Sequence, residues 1–254
     1  MFAQNGFDCK VEWGKRGARE AAERGDITVI VDVLSFSSTV VTAASMGAIL
    51  YPFLPPINDA ALAYAESIGA ELMLGRAEAV RTGTPSLSPL SFSPQHRNNR
   101  FVLCSLNGAA CTRIAAEVPA LLVGCLLNAT AVANQANRLQ KLTGAAITVV
   151  ACGEHWWDPQ ATENELRPAI EDYLGAGAIL SHLIGSKSPE ALVCLGAFQQ
   201  AAPRLSELIW DCGSGRELRA SGFADDVRHC ARLDVFDVVP LLNADHFTLI
   251  SGSQ

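Results

Sequence analysis

Ile27-Thr28-Val29-Ile30-Val31-Asp32-Val33-Leu34 runs straight into Ser35-Phe36-Ser37-Ser38-Thr39. An apolar, β-branched run of this length predicts a strand buried on both faces, as in a parallel sheet. Asp32 interrupts it, and a carboxylate there has to be paired, protonated or bound to a cation, because an isolated buried charge is very costly. The hydroxyl-rich segment that follows predicts a helix over residues 35–46, whose first turn presents free backbone N–H groups to an anion. An acid beside an anion cradle points to a metal-assisted site for a small phosphorylated or carboxylated molecule.

The same pattern recurs outward from this segment. A strand over 101–106 leads into Asn107-Gly108 and a helix over 109–117. A strand over 121–127 leads into Asn128 and a helix over 131–142, and a strand over 147–151 ends in Cys152-Gly153-Glu154. Strands alternating with helices predict an α/β fold with three α/β/α layers: a mixed, largely parallel sheet with helices on both faces. Ligands in such sheets bind outside the carboxyl ends of the strands, so Asp32, Asn107, Asn128 and Gly153 are expected to gather on one edge. Length alone allows a single domain over residues 1–254 or two tightly packed lobes.

Three stretches break the alternation. Residues 76–99 are rich in Ser, Pro, Thr and Gly and predict a long surface loop of the kind that is often functional. Residues 156–167 are a polar insertion, closed by Pro168 at the first turn of a helix over 168–184. The end reads as a helix over 224–231 and then Val238-Val239-Pro240, after which the last dozen residues show no pattern.

Composition narrows the function. Hydrophobic residues make up 49% of the chain and charged residues 18%, enough to fill a core and against disorder. A net charge of −7 argues against a nucleic-acid partner but not against a small anionic substrate, since a divalent cation can supply local positive charge. Residues 1–26 lack the pattern of a signal peptide, and no apolar run is long enough to span a membrane. The eight cysteines form no CxxC pairs and sit mostly in apolar segments, which predicts reduced, buried thiols and a cytoplasmic location. A symmetric homodimer is the default expectation for a soluble enzyme.

Several residues admit two readings. Glu171 and Asp172 are adjacent near a helix start, where acids commonly complement the helix dipole; about 100° apart, only one can face a given target squarely. Asn107 and Asn128 follow strands and precede helices, as capping residues do, yet two in equivalent places suggest a ligand contact. Gly175-Ala176-Gly177 lies inside a helical pattern, so close helix packing explains it better than a dinucleotide site. Cys152 is a structural thiol or a nucleophile with only His155 nearby. A haloacid-dehalogenase-type nucleophile is excluded, because the second acid it needs is replaced by Leu34.

Taken in order, the segments resemble the 2-phosphosulfolactate phosphatase family, magnesium-dependent enzymes of coenzyme M biosynthesis. The resemblance is carried by Val31-Asp32-Val33-Leu34 with Ser37-Ser38, Ser88-Pro89, Leu106-Asn107-Gly108 and Leu127-Asn128-Ala129. It continues through Ala151-Cys152-Gly153, Glu171-Asp172 with Gly175-Ala176-Gly177, and Asp237-Val238-Val239-Pro240. It implies an enzyme hydrolysing a small anionic phosphoester, with Asp32, Asn107, Glu171 and Asp172 as catalytic residues. Ser37, Ser38, Gly108, Asn128, Gly153 and Arg167 would bind substrate, and Asp32 with Glu171 or Asp172 would offer Mg2+ hard oxygen ligands. Where the family carries an arginine shortly after the aspartate, this chain has Ser35, leaving Arg76 and Arg167 as candidates to reach the same pocket. The alternative is a non-catalytic small-anion-binding protein on the same scaffold.

Overall fold

The computed structural model describes residues 3–156, 158, 160 and 165–251. In chain order the strands are β1 (Cys9–Trp13), β2 (Ile27–Val31), β3 (Ile49–Phe53), β4 (Glu71–Leu72), β5 (Arg100–Cys104), β6 (Leu121–Gly124) and β7 (Ile147–Ala151). They continue as β8 (Glu154–His155), β9 (Leu166–Arg167), β10 (Val238–Asn243) and β11 (His246–Ser251). The helices are α1 (Gly14–Arg24), α2 (Phe36–Ser45), α3 (Asp59–Ser67), α4 (Arg76–Thr82), α5 (Gly108–Ile114) and α6 (Ala129–Thr143). After them come α7 (Ile170–Leu180), α8 (Pro189–Ala201), α9 (Leu205–Asp211), α10 (Gly213–Ala220) and α11 (Ala224–Cys230).

The described residues form a nine-stranded sheet in the order β1-β7-β2-β6-β10-β11-β3-β5-β4, with β8 and β9 as a separate small hairpin. One parallel block is β1-β7-β2-β6 and the other is β3-β5-β4. The antiparallel hairpin β10–β11 joins them through Leu241–Leu122 on one side and Phe247–Leu50 on the other. Three antiparallel steps in succession make the two blocks run in opposite directions. Helices α1 and α5 pack on one face, while α6, α7 and α8 pack on the other. This is the expected α/β layering with a mixed, largely parallel sheet.

β2 is buried along its whole length, as its apolar run demands. Helix α2 is buried from Phe36 to Ala44, because its residues are apolar or small on every side and offer no polar face to solvent. It contacts β3, β6, β10 and β11, so the sheet wraps around it. Successive strands rotate by roughly 20–25°. This twist, with α5 packed against β2 and α1, carries the residues after β5 back to the end of β2 although the two strands belong to opposed blocks. Shared strand direction alone, the basis of the sequence expectation, does not bring Asn107 there.

Other boundaries depart in instructive ways. Residues 76–82 of the expected loop are α4, built from good helix formers and closed by Gly83 in the left-handed conformation. Pro168 lies just outside α7, whose N-cap is Ala169. The patternless tail contains β11, a strand in the middle of the sheet. Gly175 and Gly177 lie where α7 meets its neighbours: an added Cβ would come within 2.7 Å of Val33 Cγ2 at Gly175 and 2.6 Å of the Cys194 carbonyl oxygen at Gly177. Close helix packing therefore accounts for the Gly-Ala-Gly stretch. All eight cysteines are buried free thiols, and no helix among the described residues is long and apolar enough to cross a membrane.

At the amino ends of β1, β2 and β7 lies a buried ionic cluster. Lys10 Nζ donates to both Asp26 oxygens at 2.9 and 3.1 Å, Arg24 Nε donates to Asp26 Oδ2 at 2.8 Å, and Thr148 Oγ1 donates to it at 2.7 Å. Removing the acid strands the Lys10 ammonium in a place that water does not reach and takes from Arg24 its nearest carboxylate, leaving it Glu12. Asp26→Ala is expected to destabilise the fold by about 3–5 kcal/mol, read as a lower midpoint in urea unfolding.

Candidate active site

The carboxyl ends of β2 and β7, the start of α5 and the start of α7 converge. Asp32 accepts from the backbone N–H of Phe36 through Oδ1 at 2.9 Å and from that of Gly108 through Oδ2 at 3.0 Å. Asp172 accepts from Val33 N–H through Oδ1 at 2.7 Å and from Gly153 N–H through Oδ2 at 2.9 Å. Each carboxylate is thus pinned by two backbone donors, and every oxygen keeps a further lone pair for another ligand. Asp32 is 5% exposed, Asp172 3% and Glu171 1%. At that burial Glu171 and Asp172 are not solvated acids complementing a helix dipole. Asp172 faces the strand ends squarely, while Glu171 Oε2 is buried with no hydrogen-bond partner.

A fourth acid, Glu154 on β8, completes the cluster, and Asn107 Nδ2 donates to its Oε2 at 2.9 Å. Burial pushes Asp32 up to about 6, opposed by its two backbone donors and reinforced by Glu171. Burial likewise pushes Glu154 up to about 8, with Asp32 and Glu171 adding to it. Asp172 is held well above the ordinary carboxylate range by burial and then by Asp32 and Glu171. With Asp32, Glu154 and Asp172 all raised, the cluster holds protons or a cation at neutral pH.

This has a stability consequence. The folded protein keeps protons on Glu154 and Asp32 at pH values where the unfolded chain has released them. The contribution is complete below their ordinary values of 4.5 and 3.8, and it is lost as pH rises through about 6 for Asp32 and about 8 for Glu154. In EDTA, the melting temperature is expected to fall across that window. Glu154→Gln should remove the upper part of the decline, and a flat profile in the unaltered protein would contradict the account.

The remaining sequence candidates divide into groups that face the cluster and groups that brace it. Gly108 and Gly153 serve through their backbone N–H groups, which hold Asp32 and Asp172. Ser37 Oγ donates to Ile30 O at 3.0 Å and accepts from Asp32 N–H, while its own N–H is taken by Asp32 O. Ser38 Oγ donates to Val33 O at 2.8 Å. Asn128 Oδ1 accepts from Cys125 N–H, and its Nδ2 donates to Val123 O and Val238 O. Ser37, Ser38 and Asn128 therefore lock the strand-to-helix turns instead of presenting these groups to an anion. Arg167 donates to Ser214 Oγ at 3.2 Å, and its charge is felt by Glu154. Cys152 is buried, and burial raises its thiol far above neutrality, so it carries no thiolate at neutral pH.

Sequence reasoning passed over Glu154, which sits directly after Cys152-Gly153 at the end of an apolar strand, the same signal that singled out Asp32. The 155–167 insertion is described at its ends, which form the β8–β9 hairpin. Beside the cluster lies a pocket lined by Gly14, Lys15, Asn107, Cys152, His155 and Leu166, among others, with Lys15 at an exposed position on its rim.

A family profile described as 2-phosphosulpholactate phosphatase matches residues 15–245. The chain belongs to the 2-phosphosulpholactate phosphatase family. The family is one of phosphoric monoester hydrolases, and the match covers every element of the site. A probable 2-phosphosulfolactate phosphatase of Carboxydothermus hydrogenoformans is 31% identical over 219 residues, covering 84% of each chain. Probable 2-phosphosulfolactate phosphatases of Symbiobacterium thermophilum and Pseudothermotoga lettingae are 26% and 27% identical, over 89% and 90% of this chain and 95% and 94% of their own. The ordered resemblance read from short segments is thus matched over most of the chain.

Proposed function

We propose that this chain hydrolyses the phosphate ester of a small anionic hydroxy acid, 2-phosphosulfolactate or a close analogue, with Mg2+ as cofactor. The observation that carries the reading is the buried set Asp32, Glu171 and Asp172, with half-buried Glu154 beside it, in a fold shared with named phosphatases. Such a set is costly unless something positive completes it.

The residues present fit a divalent cation. Glu171 Oε2 is buried and unpartnered, and the Asp32 and Asp172 oxygens are aimed by backbone donors with lone pairs to spare. Among the described residues no three acidic, imidazole or thiol side chains are placed to hold one metal ion together. Mg2+ does not require one, since it typically takes one or two carboxylates and fills its other positions with water and substrate phosphate. Asp32 with Glu171 or Asp172 would hold it, and when bound it would neutralise charge on the phosphoryl oxygens.

The chain's own groups supply the rest. The backbone donors fix Asp32 and Asp172 before substrate arrives, so no reorganisation is needed during reaction. Glu154, protonated at neutral pH and held by Asn107, is the group suited to give a proton to the departing alkoxide oxygen. Lys15 on the pocket rim suits the second acidic group of the substrate.

The reading is tested by release of inorganic phosphate from 2-phosphosulfolactate and from phosphorylated three-carbon hydroxy acids, with Mg2+ and with EDTA. Magnesium-dependent release, abolished by EDTA, is the expected result. Equal release in EDTA would remove the metal from the reaction. Thermal stabilisation by these compounds without phosphate release would leave the non-catalytic binder in its place.

A further inference from the structure

We propose that Arg76 is the residue that grips the phosphoryl group of the substrate, delivered to the site from α4 and held there by Ser35. The inference rests on the phosphatase reading above and assigns a part of the site which that reading leaves without an owner.

Arg76, half-buried, differs from buried Lys10 and half-buried Arg24. Lys10 and Arg24 are engaged by contact with Asp26, and Arg24 also by Glu12, so their charges are cancelled locally. Arg76 forms no ion pair among the described residues. Its Nη2 donates to the hydroxyl of Ser35 at 2.7 Å and to the carbonyl of Leu87, both neutral acceptors. Its guanidinium lies over the Phe223 ring, 5.3 Å from the centroid. These three contacts fix the plane of the fork without neutralising it. Its Nε is buried and has no hydrogen-bond partner, which is unusual for a strong donor in a native interior.

The location suits the task. Ser35 is the N-cap of α2, three residues beyond Asp32 and one before Phe36, whose N–H holds the Asp32 carboxylate. Among the acids, Arg76 feels the charge of Asp226 most and then that of Asp32 and Glu154, which places it between Asp226 and the acid cluster. On its far side, Asp226 and Phe223 come from the start of α11, with Asp226 held by Ser88 Oγ at 2.9 Å. A planar guanidinium pinned through Nη2 by neutral partners keeps its charge and its Nη1 donors for a phosphate oxygen. A serine at position 35 has a specific use here: its hydroxyl accepts the fork, and a larger side chain would occupy the fork's place.

The test uses the full chain and inorganic phosphate, the expected product, as the binding probe. Phosphate binding is measured by calorimetry in Mg2+ and turnover by phosphate release, for the unaltered protein, Arg76→Lys and Arg76→Met. Arg76→Met keeps apolar contact with Phe223, and its thermal midpoint reports on folding. Arg76→Met is expected to weaken phosphate binding and raise KM by roughly 10- to 100-fold, with Arg76→Lys in between because it keeps the charge but loses the fork. Phosphate affinity and KM unchanged in Arg76→Met, whether or not the midpoint falls, would overturn the assignment and leave a purely structural arginine. Failure of the unaltered protein to bind phosphate would overturn it as well. If the unaltered protein binds phosphate but hydrolyses no ester, the phosphatase reading fails by itself, and the affinity ratio still decides the role of Arg76.

Discussion

Replacing Asp32 by asparagine is expected to lower phosphate release by about 10³-fold or more while the chain still folds. The two effects have separable causes. The substitution removes the negative charge that would hold the cation against the phosphoryl group. It also turns one acceptor into an NH2 group facing a backbone donor, Phe36 N–H at 2.9 Å or Gly108 N–H at 3.0 Å. That mismatch costs about 1–3 kcal/mol. It is offset in part, because one member of a mutually repelling acid cluster becomes neutral. Turnover and urea unfolding measured on the same preparation separate the terms. Activity within tenfold of the unaltered protein, roughly 1.4 kcal/mol of barrier, would make Asp32 a structural residue.

Gly108→Ala is expected to damage stability and activity together. A Cβ at this position would lie 2.3 Å from Phe36 Cδ1, and Phe36 is fully buried in α2 with no free volume to retreat into. Overpacking of this kind costs about 1–3 kcal/mol, occasionally more. The relief available is to push α5 away from α2. That movement withdraws Gly108 N–H from Asp32 Oδ2 and disturbs Phe36 N–H on Oδ1, so both fixed donors of the acid loosen at once. A lower thermal midpoint with a reduced kcat is the expected pairing. A variant with the midpoint and kcat of the unaltered protein would show that the α2–α5 contact is not what aims the carboxylate.

Much of this was legible in the chain. The Ile27-to-Leu34 run and its interrupting acid identified a buried strand and the centre of the site, because an apolar run leaves a carboxylate few physical options. Strand ends followed by small polar residues located Asn107, Gly108 and Gly153 correctly in space. Their roles were less legible. Gly108 and Gly153 act through the backbone, and no side chain announces that. Ser37, Ser38 and Asn128 carry the polar groups expected of ligand contacts, yet those groups are consumed by the backbone of their own turns. Local satisfaction of this sort depends on three-dimensional neighbours such as Val238.

The unread parts have physical reasons too. β11 shows no pattern of its own: it pairs with its neighbour β10, and its place in mid-sheet comes from the Phe247–Leu50 contact with distant β3. The opposed direction of the two parallel blocks follows from that hairpin, so it was equally hidden. Glu154 was overlooked because its neighbours Cys152 and Gly153 drew attention, although an acid at a strand end carries the same meaning there as at Asp32. Arg76 lies in a stretch whose composition suggests a loop, and only the contact with Ser35 shows where its side chain goes.

Calorimetric titration of Mg2+ into the EDTA-treated full chain at neutral pH, repeated in buffers of different ionisation enthalpy, addresses the carboxyl cluster most directly. Saturable binding of one ion per chain is expected, with net proton release, because Asp32 and Asp172 are held above their ordinary values and must ionise to coordinate or face a cation. Binding should vanish in Asp32→Asn. No saturable binding in the unaltered protein, or the same isotherm in Asp32→Asn, would contradict a cation held by Asp32 and the α7 acids.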